Sequence, residues 1–262
     1  MSKRSDHSVR GLDAPPLGAR RLAFVHGIED TWETWTPLVA ALKPDFGHVA
    51  LDMPWRAGND YRWRREHSPG GWLAELLAPL SDKVEILVGH SFGANAILEL
   101  LATGGGAGFA AAILVSPLYC PHIDLVSWPS FEMSRRHFET QILKGLRLRL
   151  GARADTIDPE LLARMGEKTL QRVGPIGFVA VFDHFAATAE FDLARIDVPI
   201  LVLGGAADPV IARGRVERLV ERIRRARLVI DDEADHFYHV LHPSRLGGHI
   251  SAFLASVTAG LQ

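Results

Sequence analysis

Six short apolar runs punctuate the chain: "RLAFVHG" (21–27), "HVALDMP" (48–54), "VEILVGH" (84–90), "AAAILVSP" (110–117), "PILVLGG" (199–205) and "ARLVIDD" (226–232). Each holds several consecutive apolar residues without polar alternation, the pattern of strands buried on both faces of a parallel sheet. Amphipathic segments lie between them, among them "WTPLVAALKP", "GGWLAELLAPL", "NAILELLATG" and "RVERLVERIRR". This alternation predicts an α/β fold: a mainly parallel sheet of about six strands with helices on both faces. "PSRLGGHISAFLASVTAGL" reads as a closing helix begun at Pro243–Ser244.

The rhythm breaks between Pro117 and Pro199, where three stretches have helical spacing: "SFEMSRRHFETQILKGLRLRL", "DPELLARMGEKTLQRV" and "PIGFVAVFDHFAATAEF". Asp158, Pro159 and Glu160 give the second its start signal. A helical insertion at this place belongs above the C-terminal ends of the strands, where such folds bind ligands. The expected organisation is a flexible tail over 1–20, a core over 21–117 and 198–262, and a helical cap over 118–197.

Composition narrows the function classes. The 262 residues carry a net charge of −2, with 47% hydrophobic and 23% charged residues, which offers no general case for nucleic acid or an anionic membrane as partner. Cys120 is the one cysteine, so no intramolecular disulfide framework exists. The first twenty residues lack the apolar run of a secretory signal, and a cytoplasmic location is expected.

The chemistry starts at "VEILVGHSFGANAILELL" (84–101), where Ser91 stands between Gly89 and Gly93 at a strand-to-helix turn. Glycines there let strand and helix backbones approach closely while the serine occupies a strained turn with its hydroxyl presented. A serine nucleophile needs a base, and the base an orienting acid. Asp208 follows the strand "PILVLGG", and His236 follows "ARLVIDD". Asp52 and Glu29 are the alternative acids. His90, His239 and His242 are the competing histidines. The spacing of His236, His239 and His242 is not supported by a carboxylate or cysteine pattern, so neither a metal nor another cofactor is expected.

These segments together resemble the α/β-hydrolase superfamily of serine hydrolases with a helical cap. "FVHGIEDTWETWTPLVAAL" is similar to its oxyanion strand-loop, "GHSFGANAIL" to its nucleophile elbow, "PILVLGGAADPV" to its acid loop, and "ADHFYHVLHPSRLGGHISAFL" to its histidine loop and last helix. The resemblance implies Ser91, His236 and Asp208 as a catalytic triad and the backbone N–H groups of Ile28 and Phe92 as the oxyanion hole. It implies cleavage of a carboxylic ester or thioester through an acyl-enzyme. A lyase, cyclase or carbon–carbon bond hydrolase using the same triad on a bulky intermediate is the alternative, with a ligand receptor behind it.

Two departures stand out. The usual antiparallel strand pair at the N-terminus is not expected, because residues 1–20 are short and polar. The loop "DMPWRAGND" carries Trp55 and Arg56 where many relatives have glycine-rich sequence. His26, Trp32, Trp55 and Trp128, close to strand ends, are the candidate pocket residues. Glu29 and Asp30 read as a solvated loop, or as neighbours that disfavour anionic substrates. The basic stretch with Arg135, Arg136, Lys144, Arg147, Arg149 and Arg153 reads as a solvated face, or as a dock for coenzyme A or an acidic carrier protein.

Overall fold

A computed structural model describes residues 8–12, 21–42, 46–80 and 84–259. All six apolar runs form strands: β2 (Arg21–Val25), β3 (Gly47–Asp52), β4 (Ile86–His90), β5 (Ala111–Val115), β6 (Ile200–Gly205) and β7 (Ala226–Asp231). They lie parallel, in the order β3-β2-β4-β5-β6-β7.

A seventh strand corrects the six-strand expectation and the flexible tail. β1 (Ser8–Gly11) pairs antiparallel with β3, Val9 opposite Leu51. As an edge strand it needs backbone pairing on one side and one apolar contact, Val9 against the core. "SVRG" therefore shows no apolar run. The rest of the expected tail, 1–7 and 13–20, lies outside the described residues.

Alternate strand residues face opposite layers, as the pleat requires. Ala23, Val25, Leu87, Leu114 and Val202 meet α2 (Pro69–Leu77), α3 (Phe92–Ala102) and α6 (Arg213–Glu221) on one face. Leu22, Phe24, Val88, Ile113 and Leu203 meet α1 (Thr36–Ala41) and α8 (Pro243–Ala259) on the other, with Leu38, Leu246, Ile250 and Phe253 buried between. A short helix, α7 (Tyr238–Leu241), precedes α8.

Between β5 and β6 the chain forms two long helices, α4 (Trp128–Leu150) and α5 (Pro159–Ala187). Asp158 caps α5 as its sequence signalled, its carboxylate accepting the Glu160 and Leu161 N–H groups, a contact typically worth about 1 kcal/mol. Two of the three expected helical stretches merge into α5. Their junction remains as a break at Gly174 (φ 56°), just before Pro175, which has no N–H to donate.

Candidate active site

The turn between β4 and α3 places Ser91 at φ 50°, ψ −117°, far from ordinary strand or helix backbone. Close packing imposes this. A Cβ on Gly93 would lie 2.3 Å from the Val25 carbonyl oxygen, and one on Gly89 would lie 2.8 Å from the backbone of Ala94. Phe92 opens α3, so its N–H has no acceptor within the helix.

The three residues expected as a triad converge. His236 Nε2 lies 3.0 Å from Ser91 Oγ, and His236 Nδ1 lies 2.8 Å from Asp208 Oδ2. All three are buried. Burial alone raises the Asp208 carboxyl, but the neighbouring imidazole, its hydrogen bond and the Val210 N–H outweigh it, and the net shift is downward. Asp208 therefore stays ionised and holds Nδ1 protonated, leaving Nε2 to face the serine. The His90 ring takes no part in this relay. It donates from Nε2 to the His236 carbonyl at 2.8 Å and so supports the histidine loop.

Beside Ser91 opens a cavity of about 100 Å³. Ile28 lies on its wall next to Ser91 and His236. Much of the remainder is apolar: Ile142 from α4, and Phe178, Phe182 and Phe185 from α5. These three phenylalanines sit at spacings that share one helix face, a signal already present in "FVAVFDHF". The histidine loop is also tied to α4, because Lys144 forms an ion pair with Asp235 beside His236.

The candidate pocket residues are elsewhere. His26 is fully buried, with Nδ1 donating to Gly27 O and Nε2 accepting the Met53 N–H. Trp55 donates to His26 O and packs against Phe92 beneath the elbow. Trp32 packs against the core on the α1 and α8 side. Trp128 is 83% exposed at the start of α4. None of the four lines the cavity. Trp32 and Trp55 fill the core and brace loops instead, while Trp128 projects from the surface.

The solvated-loop reading of Glu29 and Asp30 is corrected as well, since both are buried. Glu29, at φ 55°, accepts from Asn59, from Tyr61 Oη at 2.7 Å and from both terminal nitrogens of Arg172 on α5. Arg149 on α4 donates to the Glu29 carbonyl. Both helices are thus bound to the loop that carries Ile28, an arrangement no local motif announces. Asp52 pairs with Arg56 and serves its own loop. The basic face of α4 is largely matched: Arg135 and Arg136 pair with Glu132 and Glu139, and Arg147 with Asp155.

A second cluster lies under the first. Asp30, His90 and His239 are all buried, and one potential ligand atom from each lies within 4.8 Å of the other two. The spacing of His236, His239 and His242 points to no metal set, and of these only His239 belongs to this cluster. Asp30 and His90 come from distant segments and were invisible to that spacing.

A family model described as the alpha/beta hydrolase family matches residues 22–246, most of the chain. The chain belongs to the alpha/beta hydrolase family. Among curated proteins it is similar to a poly(3-hydroxyalkanoate) depolymerase from Ectopseudomonas oleovorans, 26% identical over 251 residues, covering 89% of this chain and 83% of that one. The fold is similar to that of a membrane phospholipase A described as a bacterial virulence factor (TM-score 0.69, 18% identity, 97% of this chain and 87% of that chain). It is also similar to a putative aryl esterase from Burkholderia cenocepacia (TM-score 0.68, 20% identity, 97% and 95%). An enol-lactonase from Burkholderia xenovorans shares the same hydrolase architecture (TM-score 0.63, 18% identity, 95% of each chain). Among the described residues no helix is long and apolar enough to cross a membrane.

Proposed function

We propose that this alpha/beta hydrolase cleaves carboxylic esters of aliphatic acids, with Ser91 as nucleophile, His236 as general base and acid, and Asp208 as the orienting carboxylate. The observation that carries this reading is the unbroken Ser91–His236–Asp208 hydrogen-bond chain opening into an apolar cavity. His236 Nε2 takes the hydroxyl proton as Ser91 Oγ attacks the ester carbonyl. The Ile28 and Phe92 N–H groups receive the oxyanion. Such donors are typically worth about 3 kcal/mol each in the transition state. The imidazolium then protonates the departing alcohol, and an acyl-enzyme remains. Water, deprotonated by the same nitrogen, releases the acid.

On a scale where about 10–15 Å³ admits one water molecule, the cavity has room for several waters or an acyl chain of several carbons. The cap role expected for 118–197 enters here, because α4 and α5 wall that space. The similarity to a depolymerase named for poly(3-hydroxyalkanoate) supports an aliphatic hydroxyacid ester as the natural class.

The test is hydrolysis of p-nitrophenyl esters of graded chain length and of 3-hydroxyalkanoate dimers, alongside fluorophosphonate labelling. Label on Ser91 and release that peaks at short to medium chains are expected. Label on Ser91 with no release from any ester would overturn the hydrolytic reading.

A further inference from the structure

Three polar atoms deep in the protein have no hydrogen-bond partner: Asp30 Oδ2, His90 Nδ1 and His239 Nδ1. Their residues are 7%, 2% and 0% exposed. Unsatisfied buried polar atoms are rare and costly, so three in one cluster need an explanation.

Each residue also has its other polar atom engaged. Asp30 Oδ1 accepts the Thr31 N–H at 2.9 Å. His90 Nε2 lies 2.8 Å from the His236 carbonyl, and His239 Nε2 lies 2.9 Å from Thr34 Oγ1. A nitrogen facing a carbonyl must carry the proton, so His90 Nδ1 is a bare lone pair. With the Thr34 oxygen as the acceptor in its contact with His239, His239 Nε2 carries the ring proton and Nδ1 is bare as well. With Asp30 ionised, the cluster then presents three acceptors and no donor. A water molecule donates two protons and leaves one acceptor unmet. A cation satisfies all three.

We infer that Asp30, His90 and His239 form a buried binding site for a divalent transition-metal ion of the zinc or cobalt type. Two imidazoles and a carboxylate suit such ions. Ligating histidines characteristically donate their second nitrogen to a carbonyl or another fixed acceptor, as His90 does to His236 O and His239 to Thr34. Among the described residues Asp30 pairs directly with no lysine or arginine; His239 Nε2 stands 3.9 Å from its Oδ2, and Arg149 acts on it only at longer range.

The geometry is open by a modest amount. The His90 and His239 rings lie 4.1 Å apart, centroid to centroid. Ligands at about 2.1 Å from an ion sit roughly 3.0–3.4 Å from one another, so ligand atoms within 4.8 Å of one another draw together by about 1.8 Å at most, with the rings turning to face the ion. Gly27 leaves room beside His90, since a Cβ there would lie 3.1 Å from Nδ1. The ion would join three separate pieces of the site: the loop carrying Ile28, the residue before Ser91, and the helix after His236.

The test uses the full chain expressed with and without cobalt or zinc and freed of loose metal by chelation and gel filtration. About one equivalent of metal per chain is expected, with visible d–d bands for cobalt and a Tm rise of about 5 °C in the loaded protein. Asp30→Asn and His239→Gln should each lose the equivalent and the bands. His67→Gln, on the surface beside Glu75, should keep both. Retention of metal by either cluster variant would place it elsewhere and overturn the site. So would wild-type protein that binds less than about a tenth of an equivalent and shows no Tm response. These readouts do not depend on ester hydrolysis.

Discussion

Glu29 and Arg172 form a two-pronged ion pair, 2.5 and 3.0 Å, between the loop after β2 and α5. The carboxylate side chain is 1% exposed and the guanidinium 37%. Removing the arginine strands a buried charge that retains only neutral donors. Breaking a fully buried pair typically costs about 3–5 kcal/mol, and partial exposure here lowers the expectation for Arg172→Ala to roughly 2–3 kcal/mol. Thermal unfolding should show a Tm lower by about 5–10 °C. Glu29→Gln combined with Arg172→Met should recover part of that loss, which a double-mutant cycle will read.

Ser91→Ala should abolish fluorophosphonate labelling and lower kcat by about 10⁴-fold or more without changing Tm appreciably. Asp208→Asn tests a different property. It keeps the shape but presents an amide that favours the wrong imidazole tautomer. A fall in kcat of about 10⁴-fold, with labelling by the reactive probe slowed, is expected. A loss under tenfold would remove Asp208 from the orienting role.

Gly93→Ala places a methyl group 2.3 Å from the Val25 carbonyl oxygen. Neither β2 nor the first turn of α3 can yield without disturbing Ser91. The variant should be recovered as aggregate, or with a Tm lower by more than 10 °C as a rough expectation. Gly214→Ala, at a helical position with open space around it, should leave Tm within a few degrees.

His26 makes stability depend on acid. Burial lowers its pKa below 6.5, and its neutral form meets Gly27 O and the Met53 N–H together. The unfolded chain takes up this proton first as pH falls through about 6.5, whereas the folded protein resists it. Stability is therefore full above that value and declines below it, by up to about 1.4 kcal/mol per pH unit for this one group. Urea unfolding of His26→Gln between pH 7 and 5 should show a slope smaller by one proton.

The sheet was readable because a strand buried on both faces leaves an uninterrupted apolar run, and all six such runs became strands. β1 left no such trace, since an edge strand is specified by its neighbour's unpaired backbone rather than by its own side chains. Ser91, Asp208 and His236 were legible for a related reason: each follows a strand end in a fixed order. The cavity wall was harder. Whether an aromatic faces a ligand or the core depends on helix rotation and loop direction, and so nothing in the sequence separates Trp55, packed in the core, from Phe182, on the cavity wall. Glu29 with Arg172, and Asp30 with His90 and His239, are pairings across long sequence separations. Their individual segments look like ordinary loop and helix.

The break in α5 at Gly174 divides the helix by task. Arg172, the anchor to Glu29, stands before it, and the phenylalanines of the cavity wall stand after it. The non-helical residue at Gly174 redirects the chain, so the first half meets the loop after β2 and the second half the cavity. The loop that carries Ile28 and the phenylalanine wall are thus held by opposite ends of one helix, the first through Glu29 and the second directly.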